Sequence, residues 1–257
     1  MHGAAWFTWL AFLAPVLQAS DPCSSLCKDP HLTFAYGGRA DFRGRNGTVY
    51  NFMSSNAAVL NIRTRDAVFK LGRLTVHGSF MTDVYVVIRT PNGRFFNITY
   101  SSGNLNEFHW AWHMIQGSCA KAGNRVPFEL GPHAEKHCDD SRITTDMSST
   151  LIESREWTIR IRGKPVYDRI DGPRHRLDIS LGARVARDDF AAPPHGIVGA
   201  SFASGVPTFG RIDHYPPRNV EGEFWTTAMA EGALEGRAED YELDSPYETE
   251  YAFSRFG

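Results

Sequence analysis

The chain is predicted to be mainly β: an antiparallel β-sandwich or flattened barrel, with a loop-rich insertion at about residues 101–150 and a short C-terminal helix. Three observations lead there. Between Val59 and Tyr100, five successive runs are rich in β-branched and aromatic residues. Further on, Trp157, Ile159 and Ile161 alternate with Thr158, Arg160 and Arg162, which is the period of a half-buried strand. Gly, Pro and Asn punctuate the runs where tight turns need them. The chain has 257 residues and a hydrophobic fraction of 42%, enough to build a real core, so it reads as globular rather than disordered.

Taken in order, the first element is a leader. Ala4 to Leu17 is an uncharged apolar run followed by Gln18-Ala19-Ser20, which reads as a signal peptide over residues 1–20, cleaved near Ala19 or Ser20. The run is shorter than the ~20 residues a spanning helix needs. No later stretch approaches it, so the mature chain is expected to be secreted, extracellular and free of a membrane span. Residues 21–220 are then read as one β domain and residues 221–257 as an acidic, aromatic segment packed on it.

The domain opens with Asp29-Pro30-His31-Leu32-Thr33-Phe34-Ala35-Tyr36-Gly37-Gly38. Thr33, Phe34 and Tyr36 favour a pleated backbone, and Gly37-Gly38 supplies the positive φ angles of a hairpin turn. Asp41-Phe42 on the return strand should place one residue toward water and one in the core, with Asp41 a turn-capping carboxylate. Gly44, Asn46 and Gly47 make the next turn before Val49, Tyr50 and Phe52. The strands from Val59 to Tyr100 follow, the last two joined by Pro91-Asn92-Gly93, a hairpin signal of type I′ kind.

From Ser101 to Thr150 the periodicity fades, and loops with little regular structure are expected. Strands return at Glu156 to Arg162 and Arg174 to Gly182. In the tail, ten acidic residues stand against Arg237 and Arg255, a net of −8, yet Phe224, Trp225, Met229, Leu234 and several later aromatics give it much to bury. Thr227 to Leu234 is read as the short helix and Glu248 to Phe256 as a closing strand.

Four cysteines, Cys23, Cys27, Cys119 and Cys138, lie beyond the leader, and an even number in an exported chain suggests two disulfides. Three pairings are open: the local one, Cys23 with Cys27 and Cys119 with Cys138, or either crossed arrangement. A zinc site built on Cys23, Cys27, Cys138 and a histidine is less suited to an oxidising compartment. Two sequons, at Asn46 and Asn97, fit glycosylation of an exported protein.

The opening motif, continued by Asp41-Phe42-Arg43-Gly44 and Gly47-Thr48-Val49-Tyr50, resembles the start of a von Willebrand factor type D domain. Pro193-Pro194-His195-Gly196-Ile197-Val198-Gly199 is similar to the His-Gly-Leu-Leu-Gly segment near the end of the D-type region in inter-alpha-trypsin inhibitor heavy chains. The resemblance spans roughly residues 28 to 203 and is carried by its two ends. It implies a secreted, non-catalytic binding or structural module of the extracellular matrix, cell wall or surface, with an extracellular protein or glycan as partner. This chain lacks the paired cysteines of the multimerising members at the second motif, and its oligomeric state stays open. Family members with Gly-Asp-Pro-His can cleave themselves at the Asp-Pro bond, so Asp29, Pro30 and His31 are the candidates for such a reaction. Lys28 stands where the family has glycine, and the residues favour a structural turn in which Asp29 caps backbone amides.

Other chemistry is sparse. Ser201 lacks the second glycine of a nucleophile elbow, no phosphate-binding glycine loop is present, and the basic residues form no nucleic-acid stripe. His109 and His113 are spaced for one helix face but lack the glutamate of a metalloprotease, and no cofactor is expected. Asp139-Asp140 and Asp188-Asp189 are the places where calcium could sit, with solvated turns preferred. A secreted carbohydrate-active hydrolase on a β-sandwich is the alternative; it needs two carboxylates in one cleft, and Asp41, Glu107, Glu129, Asp178 and Asp213 are candidates. The contact surface singled out is the 101–140 region with Phe108, Trp110 and Trp112, of which at least two are expected in the core.

Overall fold

The structure, a computed structural model, describes residues 23–27, 30–121 and 124–257, with no side chains described for 23–27 and 121. The leader, Asp29 and the pairing of Cys23 and Cys27 lie outside the described residues. In chain order the strands are β1 Cys23–Cys27, β2 His31–Thr33, β3 Arg39–Asp41, β4 Val49–Ser54, β5 Ala58–Leu71, β6 Leu74–Arg89, β7 Phe95–Ser101, β8 Ile115–Lys121, β9 Asn124–Leu130, β10 Glu135–Cys138, β11 Ser141–Thr145, β12 Ser149–Glu153, β13 Trp157–Pro165, β14 Arg169–Asp171, β15 His175–Ala183, β16 Gly222–Trp225 and β17 Glu242–Leu243. Among the described residues one short α-helix, α1, spans Ala200–Ser204.

Two sheets result. The first runs β10-β11-β12-β13-β15-β1-β2-β3 and the second β17-β4-β5-β6-β7-β8-β9, with β14 added to β5 and β16 to β6. Alternation along β13 and β15 sends Trp157, Ile159, Ile161, Leu177, Ile179 and Leu181 inward. They share one core with Tyr50, Phe52, Leu60, Ile62, Val84, Val86, Phe96 and Ile98 of the second sheet. The fold is therefore the sandwich of the two predicted forms, and neither sheet closes into a barrel.

β6 is buried on both faces over most of its length. Its outward residues are covered by the tail: Tyr85, Val49 and Leu243 form a small cluster against which Tyr247 and Tyr251 pack. Asn61 donates from Nδ2 to the carbonyls of Pro246 (3.0 Å) and Glu248 (2.8 Å), and Thr99 and Tyr247 pair through their hydroxyls. The β5–β6 hairpin, 14 and 16 residues long, also reaches past the sandwich. Its far end is flanked by β14 on one side and by parallel β16 on the other.

Several expectations change. The 101–150 stretch is not a loop insertion: β8 to β12 occupy most of its second half. β9 and β10 are the outer edges of their sheets, and edge strands that bury one side or neither show little apolar alternation. Cys119 on β8 bonds Cys138 on β10, with Cα atoms 5.9 Å apart, so this pair staples one sheet to the other. Thr227 to Leu234 is not helical. The amides of Thr227 and Ala228 donate to the Asp213 carboxylate, and Ala230 has φ +56°, so the helical ladder cannot form. Glu248 to Phe256 makes turns, with the Ser254 amide on the Tyr251 carbonyl, and is not a strand. At Pro91-Asn92-Gly93 only Gly93 takes a positive φ (71°), and Thr90 pairs with Arg94, giving a three-residue hairpin loop in place of type I′. In the opening turn the positive φ angles belong to Tyr36 and Gly37, not to Gly38.

Candidate functional site

The two segments that carry the resemblance meet in space. His195 pairs with Ser54 of β4 through both backbone groups, and the amides of Val198 and Gly199 donate to the Phe52 carbonyl. Gly196, at φ +104°, sits where a Cβ would come within 2.6 Å of Asn51, which makes glycine necessary there. The Ser201 hydroxyl accepts the Ala35 amide (3.1 Å) and donates to the Val198 carbonyl (2.7 Å). It is a buried connector between the motifs.

Asp41 is not turned toward water. It is 9% exposed and takes His31 Nδ1 at 2.6 Å on one carboxylate oxygen and the Asp213 amide at 2.8 Å on the other. Asp213 in turn accepts the amides of Thr227 and Ala228. The capping role predicted for Asp41 thus takes the form of holding a distant loop. Pro30 is buried and its carbonyl accepts the Phe42 amide, so the self-cleavage candidates Pro30 and His31 stand in a tightly bonded corner, with Asp29 outside the described residues.

The aromatic loop departs from expectation. Phe108 is 70% and Trp112 69% exposed, and Trp110 is half-buried with its ring edge-on to Trp112 at 5.1 Å. The prediction that at least two of the three lie in the core is overturned; Leu105, Ala111 and Met114 are buried in their place. The backbone between those anchors is closely fixed. Asn106 Oδ1 accepts the amides of Phe108 (2.9 Å) and Trp110 (3.4 Å), the Asn106 amide donates to the Trp110 carbonyl (2.9 Å), and Asn104 Nδ2 donates to the His113 carbonyl (3.1 Å). A Cβ at Gly131 would lie 2.9 Å from the Trp112 carbonyl, so the loop backbone also rests on the end of β9.

Histidines flank the rings. His109, at φ +66°, meets His175 of β15 with Nδ1 3.1 Å from Nε2, and His113 pairs with Glu129 at 3.3 Å. Burial first, then His109 and Arg174, hold the His175 imidazole below its usual range. His133 pairs with Asp146 and His137 with Glu135, so the two i, i+4 histidine pairs do not converge. Among the described residues no group of three or more His, Cys, Asp or Glu side chains could hold a metal ion.

Asp140 and Asp189, one from each of the Asp-Asp pairs, line one cleft of about 610 Å³ with Glu156, Arg89 and Arg155. Of the earlier carboxylate candidates only Asp41 and Asp213 face one crevice, beside His31 and Tyr215, and it leaves no room for a ligand. Asp41 and Asp213 are spent on amides, Asp178 faces Arg176, Glu129 is held by His113 and Gln116, and Glu107 is exposed. Asn46 is exposed in its turn, with Oδ1 accepting the Asp66 amide, whereas Asn97 is half-buried on β7. Among the described residues no helix is long and apolar enough to cross a membrane. Comparison with protein-family models and with curated proteins returns no match.

Proposed function

We propose that the chain is a secreted, non-catalytic binding module of the von Willebrand D-like kind, which engages an extracellular protein or glycan through Phe108, Trp110 and Trp112. The observation that carries this reading is the exposure of two large rings on a rigidly bonded loop. Each exposed ring forfeits about 1.5–3 kcal/mol of burial, a loss that contact with a partner recovers. Rigid aromatics also lose little side-chain entropy on binding, which is why they dominate contact hot spots. The cross-sheet disulfide and the exposed sequon at Asn46 suit an oxidising, extracellular setting. The test is a screen of extracellular proteins and glycans with the wild-type chain and the Phe108→Ala/Trp112→Ala variant. At least tenfold weaker binding by a variant of unchanged melting temperature is expected; undiminished binding would remove the loop from the contact.

A second reading is favoured by one observation: Asp140, Glu156 and Asp189 line a single cleft. Carboxylates facing one cleft are the first requirement of a carbohydrate-active hydrolase. Turnover of a glycoside panel, abolished by Glu156→Gln, would support it; no turnover across the panel would count against it.

A further inference from the structure

We propose that the cleft at the far end of the β5–β6 ribbon is a ligand site for a small aromatic acid, a flat ring system bearing a carboxylate or sulfonate. The cleft shares no lining residue with the aromatic loop, so the proposal stands apart from the function proposed above.

Its volume, about 620 Å³, suits a drug-sized molecule. The floor is apolar. Phe69 and Phe80 pack with ring centroids 5.2 Å apart, and the Arg176 guanidinium lies 5.8 Å from the centre of the Phe80 ring. One wall is Val166-Tyr167-Asp168 and the other Tyr215-Pro216-Pro217-Arg218. Both walls are tied to the ribbon: the Lys70 amide donates to the Asp168 carbonyl and the Arg73 amide to the Arg218 carbonyl, each at 2.9 Å. The Tyr215 ring packs on Phe224 of β16 at 4.7 Å, and two consecutive prolines stiffen the segment that follows. The space is therefore formed before a ligand arrives, which lowers the ordering cost of binding.

The lining selects the ligand class by shape and charge. Phenylalanine, tyrosine and proline faces favour a flat apolar body. Lys70, Arg176 and Arg218 stand against the single carboxylate of Asp168. Arg176 is engaged by Asp178 at 3.4 Å and by the Pro165 carbonyl at 2.8 Å, and Lys70 Nζ donates to the Thr75 hydroxyl at 2.7 Å but neutralises no carboxylate there, while the Arg218 side chain is exposed. Positive charge at the mouth over an aromatic floor is complementary to an anionic ring. Tyr167, 75% exposed beside the mouth, would gain cover from such a ligand.

Isothermal titration calorimetry of the full chain tests this, with naphthoate and naphthalenesulfonate as ligands, naphthyl methanol as the uncharged counterpart and glucuronate as an acidic sugar. A saturating isotherm is expected for both anions, about tenfold tighter than for the alcohol. Arg218→Ala should reduce that preference to about twofold, and Tyr167→Ala should weaken all the naphthalenes roughly fivefold. Both side chains are exposed, so melting temperatures should not change. Absence of saturation, equal affinity for anion and alcohol, tighter binding of glucuronate, or an anion preference that Arg218→Ala leaves intact would each overturn the proposal.

Discussion

Trp157 is 1% exposed and Trp112 69% exposed, and the two indoles measure how differently this fold uses one residue type. Trp157 stacks on Phe190, meets Phe202 edge-on and donates from Nε1 to the Ser55 hydroxyl at 2.9 Å, which in turn bonds Glu156. Trp157→Ala should therefore lower unfolding free energy by about 3–5 kcal/mol, through the cavity left among Phe190 and Phe202. Trp112→Ala should change it by no more than about 0.5 kcal/mol. Urea unfolding of the two variants separates them, and a large loss for Trp112→Ala would show that its ring has a structural partner. Residues of this kind were only half legible in the sequence. The alternation around Trp157 marked it as buried, but nothing in Phe108-His109-Trp110-Ala111-Trp112 distinguishes a core strand from a displayed loop. That distinction depends on Asn106, whose side chain turns the backbone, and on His175, which lies 66 positions from His109.

Among the elements, the aromatic loop is pinned at His109 by a contact that requires at least one neutral imidazole. The folded state holds the His175 pKa below the ordinary value of 6.5, so the unfolded or released form binds the proton more readily. Stability from this contact is complete above pH 6.5 and is lost as pH falls below it. Arg174 and Arg65 add positive charge around the cleft that His175 lines and Asp83 opposes them, while Glu129 faces His113 at the other end of the loop. Amide hydrogen exchange over 106–113 should accelerate on acidification from pH 7 to 5, and His175→Gln should flatten that response. Unchanged protection in the wild type would show that the His pair does not hold the loop. The β8–β10 disulfide acts between elements too: it closes a 19-residue separation, and Cys119→Ala/Cys138→Ala should cost about 3 kcal/mol in thermal or denaturant unfolding. A loss below about 1 kcal/mol would mean that packing alone holds the two sheets in register there. In the same region β9 and β10 escaped the sequence reading because they are sheet edges, where side chains need not alternate between core and water.

For the whole molecule, the sandwich and its central strands were legible because β5, β6, β7, β13 and β15 carry long β-branched or alternating runs. The role of the tail was legible only as aromatic content. Its strap across β4 to β7 depends on backbone carbonyls of Pro246 and Glu248 meeting Asn61, which no local pattern announces. Removing residues 242–257 should uncover Tyr85 and Asn61 and lower the melting temperature by several degrees, roughly 2–4 °C per kcal/mol lost for a chain of this size. A truncated chain that melts like the full one would make the strap an accessory. One paired measurement decides whether the exposed aromatic loop is, as proposed, the contact surface of an extracellular binding module. Wild-type and Phe108→Ala/Trp112→Ala chains are applied to the same array of extracellular proteins and glycans. Targets bound by the wild type and lost by an equally stable variant are expected; targets bound equally by both would contradict it.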